Sequence, residues 1–406
     1  MNRLSVLTLL LLASFVSAET KYDPAKLPKG HDYFELRDGF SNCQRKFVQE
    51  KTGRVVFLGG SITAGGGWRD HTSAYLTKKF PDTKFEFINA GIGSMGSVPH
   101  AFRLERDVLA KGHVDLLFVE AAVNDSSNIP DHPELMLRGL EGVVRHMRTV
   151  SPLTDIVQLH FVMPPHLADY RAGKVPVSIA QHERVAVAYG NASLHLAREV
   201  TDRIDAGEFT WEGDFKGLHP SPFGHQLYAN SIARLFDAAF AKPLATEAKA
   251  HALPAALDAQ SYAAGRFGDI AQAKLTRGFQ LDPAWSPPME KDANGRAKVG
   301  VRPGWVNVPA LVATEAGAEF EFAFEGRGCG LFITAGPDAG IIESSVDGGE
   351  WNATDTFTHW SAGLHLPWAV ILEDQLKPGP HTVRARVAAA SSPGKTALRV
   401  FHLLLN

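Results

Sequence analysis

The stretch VVFLGGSITAGGG, residues 55–67, decides how the chain is read. It is an apolar run that ends in glycines, the pattern of a buried strand passing into a loop. Three more runs share that texture: FEFINA (85–90), VDLLFVE (114–120) and DIVQLHFV (155–162). Helical patterns lie between and after them, around 70–80, 99–111, 133–149, 178–206 and 223–240. Apolar strands alternating with helices predict an α/β domain, a parallel sheet covered on both faces. Four strands are clear and a fifth is not placed. Such sheets bind ligands beyond the carboxyl ends of their strands, which directs attention to the loops after Phe57, Ala90 and Glu120.

Past residue 240 the texture changes. Residues 241–260 are rich in alanine and proline and read as a linker. Beyond it come short alternating runs at 318–324, 330–335, 381–387 and 397–405, and Asp347-Gly348 is a hairpin signal. This pattern predicts a second, all-β domain of the sandwich or jelly-roll kind. The expected boundaries are 19–53 for a lead-in, 54–240 for the α/β domain, 241–260 for the linker and 261–406 for the β domain. Trp351, Phe357, His359, Trp360 and Trp368 of the β domain are expected mainly to fill its core, although exposed aromatics there could stack on sugar rings.

The chain has 406 residues, 45% of them hydrophobic, enough for two cores. Its net charge of −3 gives no basic excess that would draw it to nucleic acid or anionic lipid. Residues 1–18 combine Arg3, a leucine-rich run and Val16-Ser17-Ala18, the pattern of a cleaved secretory signal. Export to the cell exterior or periplasm is therefore expected, with no membrane span after cleavage. Cys43 and Cys329 are expected to be unpaired and buried. The sequons at Asn124, Asn191 and Asn352 read as chance occurrences, and no protein partner is inferred.

Three chemistries compete for the glycine-rich segments. A phosphate-cradling P-loop would need a lysine after Gly65, where Gly66 and Gly67 stand. Gly91-Ile92-Gly93-Ser94-Met95-Gly96 matches the dinucleotide fingerprint, but the acidic residue expected about 20 positions on is Glu120, 24 residues after Gly96. The third reading is nucleophilic. Ser61 follows a buried strand on a loop with little side-chain bulk, and a serine nucleophile needs a base. His219, in Leu218-His219-Pro220, is the best candidate. Asn124 follows the third strand, where its amide could donate to an oxyanion, and backbone N–H groups near Ser61 and in the 93–96 turn could add to it.

With those residues in place the sequence resembles the SGNH/GDSL hydrolase superfamily. Gly59-Gly60-Ser61-Ile62-Thr63, the glycine-rich turn after Asn89, Val123-Asn124-Asp125 and Leu218-His219-Pro220 are similar to its four blocks, in its order, over about residues 50–240. The resemblance implies a flavodoxin-like three-layer α/β/α fold and serine esterase chemistry. It implies Ser61 as nucleophile, His219 as base, Asn124 as oxyanion donor, and neither metal nor organic cofactor. Two departures stand out. The family's usual acid three residues before the histidine is here Lys216, so either Asp214 or a backbone carbonyl would orient the imidazole. The oxyanion glycine falls on Ser94, with Gly96 as the alternative.

Similar β modules accompany such domains in proteins resembling polysaccharide O-acetylesterases. The expected function is therefore serine-dependent hydrolysis of an ester, an acetyl group on a carbohydrate, with a small-molecule or polysaccharide substrate. The alternatives are a catalytically impaired glycan-binding protein and a lipid or short-chain esterase.

Overall fold

The computed structural model describes residues 21–288, 290–388 and 395–406. The secretory signal expected at 1–18 lies outside them. The first domain is built on a six-stranded sheet. Its strands are β1 (Phe34–Glu35), β2 (Thr52–Gly59), β3 (Lys84–Gly91), β4 (Leu116–Glu120), β5 (Asp155–Leu159) and β6 (Ala192–Leu194), in the spatial order β1-β6-β5-β4-β2-β3. All pairings are parallel except that of β1 with β6. From β3 to β6 this is the flavodoxin-like order, closed at one edge by an antiparallel strand.

Side chains on a strand alternate between faces, and the two cores divide accordingly. Val55, Phe57, Leu116, Phe118 and Val157 face one core with Trp68, Leu227, Tyr228, Ile232 and Phe236. Val56, Leu58, Leu117, Val119 and Ile156 face the other, with Phe102 and Leu104 of the helix Ser97–Asp107 and Leu140, Val143 and Met147 of the helix Pro133–Val150. Burial on both faces explains why these strands read as continuous apolar runs.

Two readings need correcting. The helical pattern expected over 178–206 is two helices, Val177–Tyr189 and Leu196–Asp205, with β6 between them. Gly190, at φ 65°, ends the first of these helices, and three residues are too few to show a strand period. The strands Gln280–Trp285, Val308–Ala313 and Leu364–Glu373 also escape the pattern.

The second domain is a β-sandwich. One sheet runs Gly300–Val301, Leu364–Glu373, Cys329–Ala335, Leu398–Leu405, Val308–Ala313, Gln280–Trp285, and the facing sheet runs Asn352–Asp355, Ile341–Val346, Gly379–Val387, Glu319–Gly326, Lys274–Arg277. Phe320, Phe322, Leu331, Ile333, Val383 and Leu403 fill the space between them. Asp347 and Gly348 both have positive φ, 51° and 73°, as the expected hairpin turn requires.

The domains share a core. Trp285, Trp305, Phe332 and Phe401 of the sandwich join the cluster that holds Val98, Phe102 and Leu140. Residues 241–260 carry no helix or strand and are pinned to the first domain: His251 Nε2 lies 2.7 Å from Asp155 Oδ1, and the Leu257 and Asp258 N–H groups donate to Glu141. Cys43 and Cys329 are both free and buried. No helix among the described residues is long and apolar enough to cross a membrane.

Candidate active site

Three strand ends and one distant loop converge. β2 ends at Gly59, and Ser61 opens the short helix Ser61–Ala64 behind Gly60. Its hydroxyl lies 2.8 Å from His219 Nε2, although 158 residues separate the two in sequence. His219 stands exposed on the loop before the helix Pro222–Phe240. That loop is braced from within: Ser221 accepts from the Gly224 N–H and donates to the Asp214 carbonyl at 2.5 Å.

Asn124 lies on the first turn of the helix Ala122–Asn128, which follows β4. A Cβ on Gly60 would come within 2.0 Å of its Oδ1, so the absence of a side chain at residue 60 lets the carboxamide pack beside Ser61. Its start is held from below. Burial pushes the Glu120 carboxyl up to about 8, and its Oε1 accepts from the Val123 N–H at 3.2 Å. Glu120 is thus an internal support and is not presented to a ribose.

The turn after β3 carries Ser94 and Gly96. Ser94 has φ 68°, left-handed for a residue with a side chain. Its carbonyl accepts from Asn128 Nδ2 at 2.8 Å, and Arg302 Nη2 donates to its hydroxyl at 2.9 Å. Next to Gly96, the Ser97 N–H donates to Asp125 Oδ1 at 2.8 Å, and Asp125 Oδ2 lies 2.9 Å from His182 Nε2 in a buried pair. The N–H groups of Ser94 and Gly96 have no hydrogen-bond partner among the described residues. The Ser61 N–H, which heads a helix, likewise has no intrahelical partner.

Asp214 is not joined to the histidine. Its Oδ2 accepts from the Thr210 N–H at 2.8 Å and from Thr210 Oγ1 at 3.0 Å. Lys216, at φ 72°, turns the chain in the left-handed region between Asp214 and His219. Among the described residues no carboxylate contacts the imidazole.

Of the five β-domain aromatics expected to fill the core, only Trp368 packs on it; His359 and Trp360 are exposed, and Trp351 and Phe357 are half-buried outside the core clusters. Trp360 is 39% exposed, and its Nε1 approaches Asn128 Oδ1 at 3.5 Å, beside the Ser94 turn. Trp351 lies under Arg384 and Arg386, and Trp368 packs on the sandwich core. Two contributors had no sequence signal: Arg302, which comes from the other domain, and Asn128, which acts on the Ser94 carbonyl. Asp125 stands in the Val123-Asn124-Asp125 block but acts on the Ser97 N–H. A second titratable cluster, His160, Glu183 and His195, brings its ligand-type atoms within 4.8 Å of one another. Its carboxylate is already shared, with His160 Nε2 at 2.8 Å and Arg37 Nη2 at 2.7 Å, which makes it an internal ion network.

Residues 57–227 match the family described as GDSL-like Lipase/Acylhydrolase. Among solved structures, a two-domain esterase (CEX) active on acetylated mannans matches over 87% of this chain and 91% of that one, with 22% identity and a TM-score of 0.68. The same esterase co-crystallized with mannopentaose matches with 21% identity and the same TM-score, over 87% and 90% of the two chains. An acetylxylan esterase from Geobacillus stearothermophilus covers 45% of this chain and 93% of its own, with 17% identity and a TM-score of 0.34. No match was found among curated protein sequences.

Proposed function

From the GDSL-like lipase/acylhydrolase domain that this chain carries, an ester hydrolase domain, we propose that the protein is a serine esterase removing acetyl groups from a carbohydrate. One observation carries the reading: the 2.8 Å approach of His219 Nε2 to Ser61 Oγ, within the reach a general base needs.

The reaction follows from that contact. The Ser61 hydroxyl attacks the ester carbonyl while His219 Nε2 takes its proton. Negative charge then develops on the former carbonyl oxygen. The Asn124 amide and the N–H groups of Ser61 and of Ser94 or Gly96 would meet it, each such donor contributing on the order of 3 kcal/mol in the transition state. The imidazolium gives its proton to the leaving sugar oxygen as the ester C–O bond breaks, releasing the sugar hydroxyl. Water, deprotonated by the same imidazole, attacks the acetyl-serine; the acyl C–Oγ bond breaks, the imidazolium returns the proton to Ser61 Oγ, and acetate is freed. In this reading the site works as a Ser61–His219 dyad, because Asp214 is engaged with Thr210.

The substrate class is supported by the shared two-domain arrangement with an esterase active on acetylated mannans, by an exposed Trp360 at the site's rim, and by the export expected from residues 1–18. Parent protein and Ser61→Ala are to be compared on acetylated mannan, acetylated xylan, acetylated pectin and p-nitrophenyl acetate. Acetate release from a polysaccharide by the parent, with at least a thousandfold loss in Ser61→Ala, is the expected result. Equal release by both proteins removes the serine mechanism. Turnover of p-nitrophenyl acetate alone removes the carbohydrate assignment.

A further inference from the structure

We propose that Arg302, carried by the β domain, is a positioning residue of this site: it fixes the Ser94 turn so that the turn's free N–H groups face the oxyanion. The proposal rests on the esterase reading above. Arg302 follows the strand Gly300–Val301, and its guanidinium crosses to the other domain, where Nη2 donates to Ser94 Oγ at 2.9 Å. Its Nε lies 3.0 Å from where a Cβ on Gly93 would stand, so the head group rests on the backbone of the turn.

Nothing else in the fold explains the placement. No carboxylate pairs with Arg302 among the described residues, and Nε is buried without a hydrogen-bond partner. Burial lowers its pKa, and no neighbouring charge offsets that cost. A half-buried cation without a counter-ion is a net burden on folding. Its one side-chain partner is also strained, since Ser94 holds a left-handed φ of 68°. Two costly features that meet each other point to a shared purpose, and local rules are most often broken at functional sites.

The geometry supplies that purpose. Asn128, from the first domain, holds the Ser94 carbonyl at 2.8 Å, and Arg302, from the second, holds the hydroxyl. With its carbonyl and its hydroxyl both held, Ser94 has little freedom left, and its own N–H, in the preceding peptide, is unpaired among the described residues. A glycine at residue 94 would accept the left-handed φ without strain but would offer no hydroxyl to hold. The serine is the handle by which the second domain grips the oxyanion turn. The cationic head also adds positive potential on the side of the site where the oxyanion forms.

The test is steady-state kinetics on p-nitrophenyl acetate, which carries no sugar, so losses cannot come from carbohydrate contacts. Parent, Arg302→Lys, Arg302→Met, Ser94→Ala, Ser94→Gly and the double variant Ser94→Gly/Arg302→Met are compared, with melting temperature as a fold control. Arg302→Met and Ser94→Ala are each expected to lower kcat about tenfold with KM changed less than about twofold, and Arg302→Lys to recover part of the loss. In the Ser94→Gly background, Arg302→Met is expected to cost less than about twofold more. Ser94→Ala removes only the hydroxyl end of that bond and leaves the Arg302 side chain in place, so it reads the same bond if Arg302→Met fails to fold. An unchanged kcat in Ser94→Ala or Arg302→Met, a change confined to KM, or an equal loss in both backgrounds overturns the proposal. An inactive Ser61→Ala beside a parent-like Arg302→Met sinks this inference alone. A parent-like Ser61→Ala sinks the esterase reading itself.

Discussion

A histidine base needs its ring held, and the identity of the holder decides how fast it works. In a triad the carboxylate fixes the tautomer and stabilises the imidazolium, and losing it costs about 10⁴ in kcat. Here the Asp214 carboxylate bonds both donors of Thr210, and an asparagine oxygen could accept the same two bonds. Asp214→Asn is therefore expected to keep kcat/KM on p-nitrophenyl acetate within about threefold of the parent. A loss beyond a hundredfold would mean that the carboxylate swings to His219 during turnover. The contrast between residues explains what could be read in advance. Ser61, Asn124 and His219 each follow a strand or precede a helix, and the strand-end rule gathers such positions whatever their spacing. Asp214 depends on a single left-handed residue, Lys216, and a lysine gives no warning of that conformation. Arg302 has no local signature, because its role is defined by a turn about 200 residues away in another domain.

Strand ends do more than point loops at a substrate, since β4 also ends in a buried acid under the Asn124 helix. Desolvation raises the Glu120 carboxyl to about 8, and the nearby Asp125 charge adds to it. The folded protein therefore keeps a proton there between about pH 4.5 and 8, while the unfolded chain releases it. Where the folded state binds more protons, stability falls as pH rises, by at most ~1.4 kcal/mol per pH unit for one group. Glu120→Gln keeps an oxygen for the Val123 N–H and removes the titration. Its stability relative to the parent is expected to improve steadily from pH 5 to pH 8 in urea unfolding; a difference independent of pH would show that Glu120 ionises normally. At this scale the legible parts of the fold were the long strands with apolar residues on both faces. The unread parts have physical reasons. β6 has three residues, Gln280–Trp285 contains Pro283, and β1 has only two residues and pairs with a neighbour far along the chain.

The whole molecule behaves as more than a catalytic unit with a detachable module. Tyr262 is fully buried, its ring 5.0 Å from that of Phe102, and its hydroxyl donates to Asp374 Oδ2 at 2.6 Å. The same carboxylate oxygen receives Arg138 Nη1 at 2.8 Å, from the helix Pro133–Val150 of the first domain. Arg138 is further tied to Asp258 at 2.8 Å, at the end of the connecting segment. Around this bolt the aromatic residues Trp305, Phe332 and Phe401 share one core with the helix Ser97–Asp107, whose first residue follows the Ser94–Gly96 turn and donates its N–H to Asp125. The composition of residues 241–260 is silent about this coupling, because contacts between distant residues leave no trace in local pattern. An interface that is apolar and bolted by a largely buried ion pair couples the two halves. Calorimetry is thus expected to show one cooperative transition for the full chain. Asp374→Asn, which leaves Arg138 with half its compensation, is expected to move that entire transition down, a loss on the order of 3 kcal/mol. Two resolved transitions, with only the one assigned to the β-sandwich responding to Asp374→Asn, would instead establish independent domains. They would also leave Arg302 without a rigid base from which to hold Ser94.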